Sequence, residues 1–215
     1  MLPVPHQLMP IMLPLNLTIE EPTLPDLTPF PQTGLVHWTS KLGVELAIRH
    51  ITPDDAKLLV ELYGRLSPRT LELRFATIMI NIPIERVIEE SARLATLNHD
   101  HADALIALLN EDGQEHIVAV ARLAGADHIQ AEFALLVRDD FQGHGVGTYM
   151  LDLLFQVALV RGLRYLKASV LAENAAMLRL IRRSGFPYHM HTSHGESDVT
   201  IYLDPTISEG EINHH

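Results

Sequence analysis

Three glycines at alternate positions, Gly143, Gly145 and Gly147, stand between an apolar run and a helical pattern. Glycine lets backbone amides approach an anion closely, and amides that open a helix carry its positive dipole end. Such a loop suits a diphosphate; it equally suits a tight strand-to-helix turn with no ligand. It is not a Walker A loop, because no Gly-Lys-Ser/Thr follows, and its spacing departs from the dinucleotide-binding fingerprint. Upstream of the loop, alternation along Ile129 to Val137 puts Ile129, Ala131, Phe133, Leu135 and Val137 on one face. Gln130, Glu132, Ala134 and Leu136 fall on the other. Small neighbours beside Glu132 leave room for a substrate amine, and an apolar setting strengthens a carboxylate as a proton acceptor. The competing reading of Glu132 is an edge-facing or salt-bridged structural residue.

The elements that must position these residues follow from periodicity and punctuation. A strand is expected over Val44 to His50, followed by Thr52, Pro53, Asp54 and Asp55 as N-cap, first-turn proline and capping box. Ala56, Leu59, Val60, Tyr63 and Leu66 recur at helical spacing, and Ser67-Pro68 opens a shorter helix through Phe75. A third helix is expected from Pro83 to about Leu97, with Ile84, Val87, Ile88 and Leu94 inward. Ala104 to Leu109, His116 to Leu123 and Ile129 to Val137 are strands separated by turn signals short enough for hairpins. Helix Val146 to Arg161, strand Arg164 to Val170, helix Asn174 to Ser184 and strands Tyr188 to His191 and Val199 to Leu203 complete the order. That order predicts an α/β fold with a mixed, mostly antiparallel central sheet of about seven strands and helices on both faces.

Eight of the 13 prolines lie between Pro3 and Pro31, so residues 1–43 read as a proline-rich extended arm, residues 44–204 as one domain and 205–215 as a tail. Apolar residues spaced along the arm give it a means to pack on its own domain or on a second subunit. The first basic residue is Lys41, which disfavours a secretory or transit peptide, and no stretch suits a membrane span. A cytoplasmic location is expected. The 215 residues hold 47% hydrophobic and 20% charged side chains, a globular balance that excludes collagen-like and disordered classes. A net charge of −11 argues against nucleic-acid binding and leaves cationic partners open. With no cysteine, thiolate metal sites and an acyl-enzyme on sulfur are both excluded. The 13 histidines include Asn98-His99-Asp100-His101 and His189-x-His191-x-x-His194, but neither carries a convincing ligand set, so no metal is expected.

Gln142-x-x-Gly145-x-Gly147 after the strand Phe133-Ala-Leu-Leu-Val137, followed about 30 residues on by Asn174-Ala-Ala-Met177-x-x-Leu180 and Gly185-Phe186, resembles the GNAT superfamily of N-acetyltransferases. The likeness spans about Val44 to Leu203. It implies acetyl-CoA as co-substrate, with its diphosphate on the loop Gln142, Gly143, His144, Gly145, Val146, Gly147 and Thr148. Leu135, Leu136 and Val137 would meet its pantetheine and thioester, Asn174 would touch the pantetheine arm, and Glu132 would take the acceptor's proton. Ile48-Arg49-x-Ile51-x-Pro53-x-Asp55, Arg65-Leu-Ser-Pro68, Leu73-Arg-Phe75 and Ala131-Glu-Phe-Ala134 narrow the resemblance. Together they are similar to the catalytic domain of Pat-type protein lysine acetyltransferases. A lysine-bearing protein is the acceptor this implies; a small amine such as a polyamine or antibiotic, and a non-catalytic acyl-CoA sensor, are the alternatives. Many members place a tyrosine seven residues after the asparagine, where this chain has Ile181. Tyr149, Tyr188 and Tyr202 are unranked substitutes for that general acid.

Overall fold

The structure, a computed structural model, describes residues 34–75, 83–97 and 101–204. Its centre is an eight-stranded sheet in the order β1-β2-β3-β4-β5-β6-β8-β7. The strands are β1 (Leu35–Thr39), β2 (Glu45–His50), β3 (Asp103–Glu111), β4 (Gln114–Ala124), β5 (Gln130–Val137), β6 (Tyr165–Leu171), β7 (Tyr188–Ser193) and β8 (Glu196–Tyr202). All neighbours pair antiparallel except β5 with β6. The parallel pair needs a crossover, and α4 (Val146–Val160) supplies it.

Alternation along the strands divides the core in two. Leu105, Ala107, Leu123, Ala131, Phe133 and Leu166 join α4 and α5 (Ala175–Arg182) on one face. Ala104, Ile106, Leu108, Val120 and Leu136 join α1 (Ala56–Gly64) and α3 (Ile84–Ala95) on the other. Strand β3 is buried on both sides for its first seven residues, which is why Ala104 to Leu109 reads as an unbroken apolar run. At the centre of the first core, Phe155 is fully buried and meets Phe186 edge-on at 5.0 Å and Phe133 at 6.4 Å.

The Thr52 and Asp55 capping box forms, and it does more than start a helix. The Asp55 carboxylate accepts from the Thr52 amide at 2.7 Å and from both terminal nitrogens of Arg49 at 2.7 and 2.8 Å. Burial pushes this carboxyl up, yet the Arg49 and Thr52 donors outweigh burial and hold it below the ordinary range. The turn Pro53–Asp55 and the following α1 (Ala56–Gly64) are thereby tied to β2.

Two expectations change. Residues 35–39, read as part of the arm, form an edge strand paired with β2 from Leu35↔Arg49 to Thr39↔Glu45, so the sheet begins before Val44. Residues 1–33 of the arm and 205–215 of the tail lie outside the described residues. In α3 the inward set is Ser91, Leu94 and Ala95, whereas Ile84 and Ile88 are more than half exposed. The helix packs through its C-terminal half, and its first turns extend past that contact.

Phe155→Ala removes the ring that joins β5 to the segment after α5. It should destabilise the protein by about 3–5 kcal/mol, read as a lower urea midpoint in equilibrium unfolding, with Phe155→Leu costing less.

Candidate active site

Strand β5 pairs with β6 only from Gln130↔Tyr165 to Glu132↔Lys167. Beyond that point β6 continues alongside β8 to Leu171, while β5 continues alongside β4 to Val137. The two parallel strands therefore diverge, and a cleft of about 470 Å³ opens between them. The Arg138 amide donates to the Val118 carbonyl at 2.8 Å. By alternation, Phe133, Leu135 and Val137 aim their amides and carbonyls at the side β6 has left. The Val137 carbonyl accepts the Gln142 side-chain amide at 3.0 Å, and the others have no strand partner among the described residues. A row of free donors and acceptors along a narrow apolar groove suits an extended chain of amides.

At the far end of β5 the glycine loop turns into α4. Gly143 and Gly145 sit at φ +77° and +89°, a region in which side chains are strained, and Gly145 is the N-cap of α4. A Cβ on Gly147 would lie 3.3 Å from Leu180 Cδ1 and close to Leu135 and Val137, so this glycine lets α4 nest against β5 and α5. Loop and groove form one surface, because Leu135, Leu136, Val137, Gln142, Gly143, Gly145, Gly147, Thr148 and Asn174 all line the cleft. His144, Val146 and Glu132 do not. Val146 is buried in the core, so only its backbone is available to a ligand. Asn174 uses its side-chain carbonyl to cap α5, accepting from the Met177 amide at 3.1 Å, which leaves its NH₂ group for other partners.

The hairpin from β1 to β2 was not legible as part of this site. Its Lys41 amide donates to the His144 carbonyl at 3.0 Å, and Lys41 lines the cleft beside the glycines. Trp38 stacks on Tyr149 at 4.7 Å and places its ring 3.4 Å from where a Gly145 Cβ would stand. The signal that could have found this hairpin was the alternating Leu35-Val-His-Trp-Thr39, which the proline-rich stretch before it obscured.

A second anchor joins the loop to α2 (Pro68–Phe75). The Asp139 carboxylate accepts from the Ser67 amide at 2.9 Å, the Ser67 hydroxyl at 2.6 Å and the Thr70 hydroxyl at 2.7 Å. Gln142 in turn donates to Thr70 Oγ1 at 3.1 Å. Burial pushes the Asp139 carboxyl up, but the Ser67 and Thr70 donors bring it below the ordinary value. The carboxylate meets the N-terminus of α2 through the Ser67 amide, where the helix dipole also favours the negative charge.

Glu132 lies on the α1 and α3 face of β5, where the alternation put it, but it is exposed instead of enclosed by apolar groups. The sequence pattern gave its face and not what covers it. Ile181, in place of the tyrosine many relatives carry, is fully buried. Tyr149 is held in the stack on Trp38, Tyr202 is buried, and Tyr188 is partly exposed on β7. His189 and His191 lie on the exposed β7 and His194 in its turn; no three His, Asp, Glu or Cys groups converge as a metal site among the described residues.

The acetyltransferase (GNAT) family profile matches residues 72–186, which contain β5, the loop, α4 and α5. The chain belongs to this family of acetyltransferases. It is similar to the GNAT domain of S. lividans PAT, with 26% identity and a TM-score of 0.65 over 79% of this chain and 97% of that domain. RimL, a ribosomal L7/L12 α-N-protein acetyltransferase whose structure contains coenzyme A, shares the fold at 17% identity and a TM-score of 0.57, covering 73% of this chain and 92% of RimL. An L-methionine sulfoximine/L-methionine sulfone acetyltransferase of Pseudomonas aeruginosa is 40% identical over 55 residues. That match spans 26% of this chain and only 32% of the relative.

Asp139→Asn should lower Tm by about 2–4 °C, for a loss near 1 kcal/mol in a partly exposed charge-assisted cluster. A carboxyl whose folded pKa is depressed contributes stability above its unfolded value, about 3.9, and loses it as pH falls through the folded value. The Tm difference between wild type and variant should therefore be full at pH 7 and shrink below about pH 4 in calorimetric scans.

Proposed function

We propose that the protein transfers an acetyl group from acetyl-CoA directly to the ε-amino group of a lysine on another protein. The observation that carries the reading is the free edge of β5, which runs from Phe133 to the glycine loop and so leads from the end of the β5–β6 pairing, where Glu132 stands exposed beside the cleft, to an anion cradle. The motifs shared with Pat-type lysine acetyltransferases, together with the likeness in fold to the PAT domain over nearly its whole length, support the lysine acceptor.

The loop fits the diphosphate. Backbone amides of Gly143, Gly145, Val146, Gly147 and Thr148 supply donors, the start of α4 adds its dipole, and Lys41 brings a cation to the same rim. Gln142 and His144 contribute their backbone, since the Gln142 side chain is committed to Thr70 and Val137. The free groups of Phe133, Leu135 and Val137 hold the pantetheine amides, with Leu136 and Asn174 beside them. Bound there, acetyl-CoA presents a thioester to the acceptor. Amides near Leu135 and Val137 meet the negative charge that develops on its oxygen.

A lysine ammonium, with a pKa of about 10.4, must lose its proton before attack, at about 4.6 kcal/mol at pH 7. Glu132 takes that proton directly or through water. The attacking amine forms the amide bond as the carbon–sulfur bond breaks, and the thiolate leaves. With no cysteine in the chain, both substrates are bound together. The 55-residue likeness to an amino-acid-analogue acetyltransferase favours a small amine as the second reading.

Glu132→Gln keeps the side chain's size and removes its basicity. Steady-state assays should show kcat reduced by about 10² or more at neutral pH. The deficit should shrink as pH rises towards the amine's own pKa, while acetyl-CoA affinity by calorimetry stays near wild type. Near-wild-type kcat at pH 7 would remove Glu132 from the reaction, and failure of the wild type to bind acetyl-CoA would remove the whole reading.

A further inference from the structure

Two arginines beside Glu132 have no assignment in the chemistry above. Arg122 on β4 stands opposite Ala134 of β5, on the same sheet face as Glu132 and one alternation away from it. Arg74, in the last turn of α2, lines the cleft. The two guanidinium groups lie within each other's field, and Arg122 also feels Glu132. Neither forms an ion pair with a described carboxylate, and the Arg122 Nε is buried without a hydrogen-bond partner among the described residues. Glu90 of α3, whose field reaches Arg122, is already held by Arg93 through contacts of 3.0 and 2.7 Å. Burial in apolar surroundings, including the Phe75 ring 5.0 Å from Arg74, lowers the pKa of both guanidinium groups.

Half-buried guanidinium groups with no hydrogen-bonded carboxylate among the described residues carry a solvation cost that only the field of nearby acids offsets, and two of them side by side gain by receiving an anion. That anion is not the diphosphate. Ala134 precedes Val137 by three residues, roughly 10 Å at the rise of a strand, and the loop amides lie farther on. The arginines are thus on the acceptor side of the thioester. Lys167 of β6, in register with Glu132, adds a third cation to the same end. This local excess of positive charge runs against the net charge of −11 and disfavours the charged form of any amine that enters.

We propose that Arg74 and Arg122 receive a carboxylate carried beside the acceptor amine, so that the enzyme selects lysines flanked by acidic side chains. The planar guanidinium fork matches a carboxylate in two-point contact, and the acceptor amine then falls towards Glu132. This selection rests on the lysine reading of the site.

The test uses the full chain, acetyl-CoA and two peptides that differ only in the residues on either side of one lysine, glutamate in one and alanine in the other. Wild-type kcat/KM should favour the glutamate peptide by roughly tenfold or more, the worth of a hydrogen-bonded charge pair. In Arg122→Gln that ratio should fall to near one. Arg74→Gln provides the second variant, and coenzyme A binding by calorimetry checks that each is folded. Equal use of the two peptides by the wild type, or a preference that persists in both variants, overturns the proposal. If neither peptide is acetylated and free amines are, the lysine reading fails separately, and an α-amino acid is then compared with its decarboxylated amine. Preference for the acid supports the arginine assignment, and equal rates overturn it.

Discussion

Parallel pairing of β5 with β6 stops after three residues, and the geometry of the site follows from that interruption. A strand in the middle of a sheet has its backbone polar groups satisfied on both sides. Here the side facing β6 is open from Phe133 to Val137, in the middle of the sheet and not at either of its edges, β1 and β7. The divergence is held from three directions. Strand β4 grips β5 through Val137, β8 draws β6 away through Leu171, and α4 with α5 fills one face beneath the gap. Unpaired amides in such a position have to be satisfied by something linear, polar at intervals and otherwise apolar. A pantetheine arm has that pattern.

The two ends of the open edge have opposite electrostatic character from what the whole chain would suggest. An acidic protein brings amides, a helix dipole and Lys41 to one end, and Arg74, Arg122 and Lys167 to the other, with Glu132 among them. Charge averaged over 215 residues governs solubility and long-range approach. The field inside a narrow cleft is set by the few groups whose side chains line it, and these are largely cationic.

Much of this was legible before any coordinates. The alternating glycines mark the loop because only glycine takes φ values near +80° without strain, and Gly143 and Gly145 have them. The period-two pattern of β5 assigns Glu132 and Phe133 to opposite faces, and the two cores divide accordingly. What the pattern could not convey is enclosure. Ile84 and Ile88 have the spacing of core residues and are exposed, because helical periodicity describes a face and not the length over which a neighbour covers it. Glu132 is the same case with the outcome reversed in consequence, since its exposure leaves it open to an incoming amine. Arg74 and Arg122 look like ordinary arginines in sequence; that neither is ion-paired with a carboxylate among the described residues is a property of three dimensions alone.

The carboxylate of Asp139 has a consequence for how the two substrates communicate. It fastens the start of α2, which carries Arg74, to the segment that leads into the glycine loop, and Gln142 closes the same circuit through Thr70. The wall that meets the acceptor and the wall that meets the diphosphate are therefore a single mechanical piece. Ordering one orders the other, so the conformational entropy lost when the first ligand settles is not lost again for the second. On the reading proposed above, reciprocity would then have each substrate raise the affinity for its companion. Such coupling disfavours the half-filled cleft, the state in which a thioester would stand exposed to water with no amine in place.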